Sequence, residues 1–270
     1  MKNLCILAMA TITFLACKND AKNNDTVVIH DKVNVEAIEA ASTKYPANLA
    51  EVFEAHGGLD RWKQMNNLCF EIDSRGGKEV HTTDLNNRKA KIEHKEWSIG
   101  YNGEDVWLLQ NEESAYKGNA RFYHNLMFYF YAMPFILADD GINYTDVPAT
   151  ELDGVVYNGI KIGYENGVGD SPEDEYILYF DPETNQMSWL GYTVTYRTNE
   201  QSEDWHFIKY DTWQDVNGLL LPEKLTWYNV EDGKPTDERN DLLFKKVTVS
   251  DMKLDKTVFA KPNAAVIVPR

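Results

Sequence analysis

Cysteine is scarce in this 270-residue chain, with three residues at positions 5, 17 and 69. No Cys-x-x-Cys occurs, and none of the six histidines (His30, His56, His81, His94, His124, His206) pairs with another at His-x-x-x-His spacing. A local zinc motif is therefore missing, and a metal site would need ligands from distant strands. Gly-x-Ser-x-Gly, the phosphate-cradling glycine loop and Gly-x-Gly-x-x-Gly are absent too, which removes the usual sequence marks of a serine hydrolase, a P-loop enzyme and a dinucleotide binder. Basic residues are outnumbered, 27 Lys and Arg against 43 Asp and Glu, and the formal net charge is −16. Such a chain repels nucleic acid and anionic lipid headgroups. Past position 17 no run is long and apolar enough to span a bilayer as a helix. No cofactor is implied.

The first residues read as a secretory signal. Lys2 precedes the mostly apolar run Leu4–Ala16, a small residue stands before Cys17, and the chain then turns polar from Lys18. This resembles a bacterial lipobox, with Phe14 and Leu15 standing where lipoboxes usually carry Leu and a small residue. The resemblance implies a lipoprotein signal over residues 1–17 that is cut before Cys17, with Cys17 acylated (palmitate-type chains) as the membrane-attached N-terminus of the mature chain. The alternative is an ordinary signal peptide cut elsewhere. With Cys5 removed and Cys17 acylated, Cys69 is left as a single thiol that cannot form an internal disulfide. Its neighbours Leu68 and Phe70 point to a buried, inert residue.

Residues 18–34 are rich in Asn, Asp and Lys and read as a disordered tether. Within it, Asp25-Thr26-Val27 is similar to a short O-glycosylation pattern of Bacteroidetes periplasmic proteins, which makes Thr26 a candidate acceptor. Residues 35–270 read as one domain. Helix is expected over 35–66. Leu49, Val52, Phe53 and His56 form the stripe of its second segment, Pro46 separates the two segments, and Gly57-Gly58 ends the second. His56 and His124 are expected in structural hydrogen bonds rather than in catalysis.

From Leu68 the period changes to two. Tyr176, Leu178 and Phe180 alternate, as do Leu190, Tyr192, Val194 and Tyr196, and Leu219, Leu221, Leu225 and Trp227 alternate with Glu223 as the exception. Gly76-Gly77, Asn86-Asn87, Asn102-Gly103, Asp153-Gly154, Asn217-Gly218 and Asp232-Gly233 supply turns between strands. No strand–helix–strand rhythm appears, so an antiparallel meander is expected, curled enough to enclose something. The Trp residues of these strands are expected to be mainly core. The acidic pairs Asp139-Asp140, Glu173-Asp174-Glu175 and Glu203-Asp204 read as solvated loops.

One segment breaks the meander. Seven of the 17 residues from 121 to 137 are aromatic. Phe122, Leu126, Tyr129, Phe130 and Met133 share one helical face, and Met127, Phe128 and Tyr131 cover much of the rest. A helix apolar nearly all round must be surrounded on most sides, and the concave face of a curled sheet can do this.

Three stretches resemble the LolA/LolB superfamily of lipoprotein carriers and sorting proteins, specifically a Bacteroidetes lipoprotein branch similar to the DUF6503 family. They are Ala55-His56-Gly57-Gly58-Leu59-Asp60-Arg61-Trp62, Tyr101-Asn102-Gly103-Glu104-Asp105-Val106-Trp107, and the pair Tyr179-Phe180-Asp181-Pro182-Glu183-Thr184 with Asp215-Val216-Asn217-Gly218-Leu219-Leu220-Leu221-Pro222. The resemblance implies an α+β, mainly β fold: an incomplete antiparallel β-barrel curled around a helical plug, with a hydrophobic cavity able to take acyl chains. The expected protein is a monomeric, non-catalytic outer-membrane lipoprotein, facing the periplasm or the cell surface, that binds a lipid, acyl chain or lipoprotein. Phe122, Leu126, Phe128, Phe130, Tyr131 and Met133 are the expected cavity lining. Two other classes stay open: a scaffold lipoprotein whose plug merely fills the core, and an envelope glycan or lipid hydrolase, which would need convergent carboxylates or a Ser/His pair.

Overall fold

All six turn dipeptides fall at hairpin connections in the computed structural model, which describes residues 44–165, 173–198 and 200–269. Asp153-Gly154, Asn217-Gly218 and Asp232-Gly233 each hold two successive positive φ angles. That is the geometry whose twist matches flanking antiparallel strands, and glycine supplies the second position without a Cβ clash. Cys17, Thr26, the tether 18–34 and the part of the expected first helical segment from 35 to 43 lie outside the described residues.

The turns link thirteen strands: β1 (Asn67–Ser74), β2 (Gly77–Asp84), β3 (Ala90–Glu93), β4 (Trp97–Tyr101), β5 (Val106–Gln110), β6 (Ile142–Leu152), β7 (Val155–Tyr164), β8 (Tyr176–Phe180), β9 (Met187–Tyr192), β10 (His206–Val216), β11 (Leu219–Glu231), β12 (Lys234–Ser250) and β13 (Val266–Val268). They form one antiparallel sheet in the order β13-β5-β4-β3-β2-β1-β12-β11-β10-β9-β8-β7-β6. β13 and β6 are its two edges, so the barrel is incomplete, as expected. Pairing of β1 with β12, from Asn67 opposite Ser250 to Ile72 opposite Phe244, joins the two ends of the chain.

Period two decides the faces. Leu178, Phe180, Leu190, Ile208, Tyr210, Leu225 and Trp227 point into the main core. Their neighbours Tyr179, Trp189, Phe207 and Tyr228 form a second apolar layer on the other face, where the Lys209 ammonium lies 5.1 Å from the Trp189 ring. Glu223 breaks the alternation because the β10–β11 register shifts on either side of the Thr212–Lys224 pair. A bulge of this kind turns a side chain to solvent and bends the strand locally, after which the alternation resumes.

Helix α1 (Ala47–Ala55) buries Leu49, Val52 and Phe53. Its end is a Schellman closure: the N–H of Gly58 donates to the Phe53 carbonyl at 2.9 Å and that of Gly57 to the Glu54 carbonyl at 3.1 Å. Both glycines hold positive φ, 101° and 90°. Helix α2 (Leu59–Gln64) follows and buries Leu59 and Trp62.

The aromatic segment is helical in pieces rather than one helix from 121 to 137. Helix α3 (Ala120–Tyr123) is capped by the Asn119 side chain, helix α4 (Leu126–Tyr131) follows, and a single 3₁₀ turn covers Phe135–Ala138. Two features break the ladder. The His124 imidazole binds the Arg121 carbonyl through Nδ1, competing locally with helix continuation. Pro134 has no N–H to donate, and its ring excludes the helical carbonyl four residues back. The five residues expected on one face therefore separate: Phe130 and Met133 are buried in the core, while Phe122, Leu126 and Tyr129 are half-buried.

This segment still plugs the sheet. Tyr131 packs on Phe70 of β1 at 4.8 Å and Phe244 of β12 at 4.4 Å. Phe130 meets Tyr192 of β9 at 5.1 Å and Trp227 of β11 at 6.0 Å, and its carbonyl accepts the Tyr210 hydroxyl of β10 at 2.7 Å. Phe135 stacks on Trp62 at 4.9 Å. One short segment can touch β1, β12, β11, β10 and β9 together only if that wall is concave. Each large side chain so buried contributes about 1.5–3 kcal/mol. Among the described residues no helix is long and apolar enough to cross a membrane.

Candidate functional site

Between the plug and the β6–β8 part of the wall lies a cleft of about 190 Å³. Phe122 of α3 and Leu126 and Tyr129 of α4 form one part of its lining. Ile142 of β6, Tyr164 at the end of β7, Tyr176 at the start of β8, and Tyr196 form another. Polar groups come from Asp139 and Asp140 after the plug, Asp174 before β8, Asn125, and Arg121. An apolar cavity of ~150 Å³ takes up one benzene-sized molecule. The cleft thus has room for a ring or a short alkyl segment while the plug is seated, and a whole acyl chain requires the plug to shift.

Of the residues expected to line a cavity, Phe122 and Leu126 stand on this wall. Phe128, Phe130, Tyr131 and Met133 are packed behind it in the core. Tyr164, Tyr176, Tyr196 and Asp174 carry no local motif. Tyr176 and Tyr196 stand in alternating runs read as strands, but β9 ends at Tyr192 and Tyr196 lies beyond it, while Tyr164 and Asp174 flank the acidic, glycine-rich connection between β7 and β8. Asp174 was expected in a solvated loop and is instead half-buried, its Oδ1 accepting both the N–H and the hydroxyl of Thr195 at 2.6 Å. Burial pushes its carboxyl above the ordinary range, against those two hydrogen bonds.

Polar ties fasten the plug at both ends. The Arg88 guanidinium, from the β2–β3 turn, grips both Asp139 oxygens and lies 5.1 Å from the Phe128 ring. Burial nevertheless holds the Asp139 carboxyl above its ordinary pKa, outweighing Arg88. Lys44 pairs with Asp140 at 2.9 Å. At the α3 end the Tyr123 hydroxyl donates to Glu79 at 2.7 Å, and His81 approaches the same oxygen at 3.1 Å. Burial lowers the His81 pKa, so the ring is neutral; burial also disfavours the Glu79 charge, but the bonds from His81 and Tyr123 hold its carboxyl below the ordinary value. A neutral imidazole facing a carboxylate must donate, which fixes the proton on Nε2.

The other singled-out residues are structural. His56 is buried and donates through Nδ1 to the Val52 carbonyl at 2.7 Å; burial brings its pKa down to about 4. Cys69 is half-buried on the outward face of β1 rather than in the core, because its neighbours Leu68 and Phe70 take the inward positions. Burial raises its thiol pKa, which keeps it in the unreactive protonated form. Trp97, Trp107, Trp189 and Trp227 are buried, while Trp205 and Trp213 are half-buried. Among the described residues no three His, Cys, Asp or Glu side chains are grouped to hold a metal ion.

No curated protein matches the chain. The fold is similar to a DUF1329 family protein from Desulfovibrio piger, at 10% identity and a TM-score of 0.48, over 79% of this chain and 96% of that one. It is also similar to a LolA superfamily protein from Nitrosomonas europaea, at 9% identity and a TM-score of 0.46, over 78% of this chain and 96% of that one. A sequence profile matches residues 9–246, and the chain belongs to that family, DUF6503, a family of unknown function.

Proposed function

We propose that this protein is a lipid-anchored envelope protein that binds a hydrophobic ligand, an acyl chain, lipid or lipoprotein, between the sheet and the plug, without catalysis. Residues 1–17 are the lipoprotein signal, cut before Cys17 so that the acylated Cys17 is the mature N-terminus, residues 18–34 are the tether, and residues 35–270 are the binding domain. Attachment is to the outer membrane. The observation that carries the reading is the cleft itself, which opens between an aromatic plug and a concave wall and is lined by Phe122, Leu126, Tyr129, Ile142, Tyr164 and Tyr176. Ring-lined apolar clefts with a few polar groups suit amphiphilic ligands. In the closed state Phe122 and Leu126 meet the ligand. Phe128, Phe130, Tyr131 and Met133 join the lining when the plug moves aside.

Native mass spectrometry of the mature protein, purified in a mild detergent, tests this. Wild type is expected to carry an added mass that an organic extract identifies as an amphiphile. Leu126→Glu, a half-exposed position, should fold and lose it. The same bound lipid in both refutes the site. No bound mass in either, after incubation with envelope lipid, favours the scaffold alternative.

A further inference from the structure

Tyr164 and Tyr176 meet edge to face, ring centroids 6.0 Å apart, where β7 and β8 reach the cleft. Asp174 stands two positions before Tyr176 on the same wall. Its Oδ1 is pinned by Thr195, and no Lys, Arg or His pairs with it among the described residues. The other two acids of the cleft are matched, Asp139 by Arg88 and Asp140 by Lys44. A half-buried carboxylate without a countercharge is costly, and one beside aromatic rings on a cleft wall is the arrangement that takes up an organic cation.

We infer that the cleft selects amphiphiles whose polar end is an ammonium group, seated against the Asp174 carboxylate and the rings of Tyr164 and Tyr176. This rests on the proposed hydrophobic-ligand reading and specifies its ligand class. Arg121 lines the cleft from α3 on the plug side, whereas Asp174, Tyr164 and Tyr176 stand on the sheet side. An anionic head seated on this wall would meet the Asp174 carboxylate. The remaining lining, Leu126, Ile136 and Ile142 among it, receives the first part of the alkyl chain.

Calorimetric titration of the full mature chain tests the inference with three decyl probes below their micelle-forming concentrations: decyltrimethylammonium, decyl sulfate and uncharged decanol. Near-physiological salt screens the overall negative charge, leaving local contacts to decide. Decyltrimethylammonium should bind about tenfold more tightly than decyl sulfate. Asp174→Asn should bring the two within about threefold. Equal or tighter sulfate binding by wild type, or a preference that survives in Asp174→Asn, overturns the ammonium assignment while leaving the hydrophobic-ligand reading intact. Failure of all three probes to bind overturns both. The wild-type comparison decides on its own if the variant does not fold.

Discussion

The carbonyl of His56 accepts a hydrogen bond from the backbone N–H of Leu220 at 2.9 Å. This joins the end of α1 to the β10–β11 hairpin, and the Arg61 guanidinium adds a bond to the Asn217 carbonyl at 3.0 Å. Two stretches that carry the resemblance to lipoprotein carriers, 55–62 and 215–222, are therefore two sides of one joint. Gly57 sits so close to Gly218 that a Cβ on it would overlap the Gly218 carbonyl oxygen.

That overlap separates two glycine substitutions. Gly57→Ala meets both a left-handed backbone and a backbone clash, and should cost about 2 kcal/mol or more. Gly154→Ala has φ of 77° but nothing within 4 Å of the added Cβ, and should cost about 1 kcal/mol. Thermal unfolding of both checks the order. Equal shifts would mean that the joint yields at little cost.

Acid should weaken the fold through its neutral buried histidines. His56 has a folded pKa of about 4 against 6.5 in the unfolded chain. Between those values the unfolded chain takes up the proton and the native one does not, so stability falls as pH drops from 6.5 towards 4. For His56 alone the loss approaches about 3 kcal/mol. His81 is lowered too and acts in the same sense. Glu79, held below its unfolded value, loses its contribution at still lower pH. His56→Gln should be less stable at pH 7 yet lose less on acidification. Urea titrations at pH 7, 5 and 4 measure this, and parallel losses in wild type and variant would contradict it.

Arg88 ties the β2–β3 turn to the plug's exit at Asp139, in a pair that is roughly two-thirds buried. Arg88→Ala leaves a partly buried carboxylate alone and strips the cation from the Phe128 ring. The expected cost is about 1–2 kcal/mol, between the values for exposed and buried pairs. Urea denaturation reads it, and an unchanged midpoint would show that the tie adds nothing. Lys44→Ala should cost far less, since Asp140 is exposed.

The sheet was legible because its signals are local. Asp153-Gly154, Asn217-Gly218 and Asp232-Gly233 each fix a turn by the φ angles they tolerate, and Leu219, Leu221, Leu225 and Trp227 mark an inward face by parity alone. The plug was legible as a greasy, aromatic run that must be covered. Its break was harder to see, since the hydrophobic pattern of Phe122, Leu126, Tyr129, Phe130 and Met133 continues past His124 and runs up to Pro134. The cleft was legible only in part. Phe122 and Leu126 belong to the plug, whereas Tyr164, Asp174, Tyr176 and Tyr196 come from strand ends and loops that meet it only because the sheet curls. Curl depends on accumulated twist and bulges over many strands, and no short stretch encodes it.

Hydrogen exchange of the mature protein, with and without a saturating long-chain amphiphile, tests the central claim most directly, that a ligand enters by displacing the plug from the concave wall. Amides from 126 to 138 should exchange faster in the loaded protein while β1 and β9–β12 keep their protection. Unchanged exchange across 126–138 under demonstrated saturation would contradict the account.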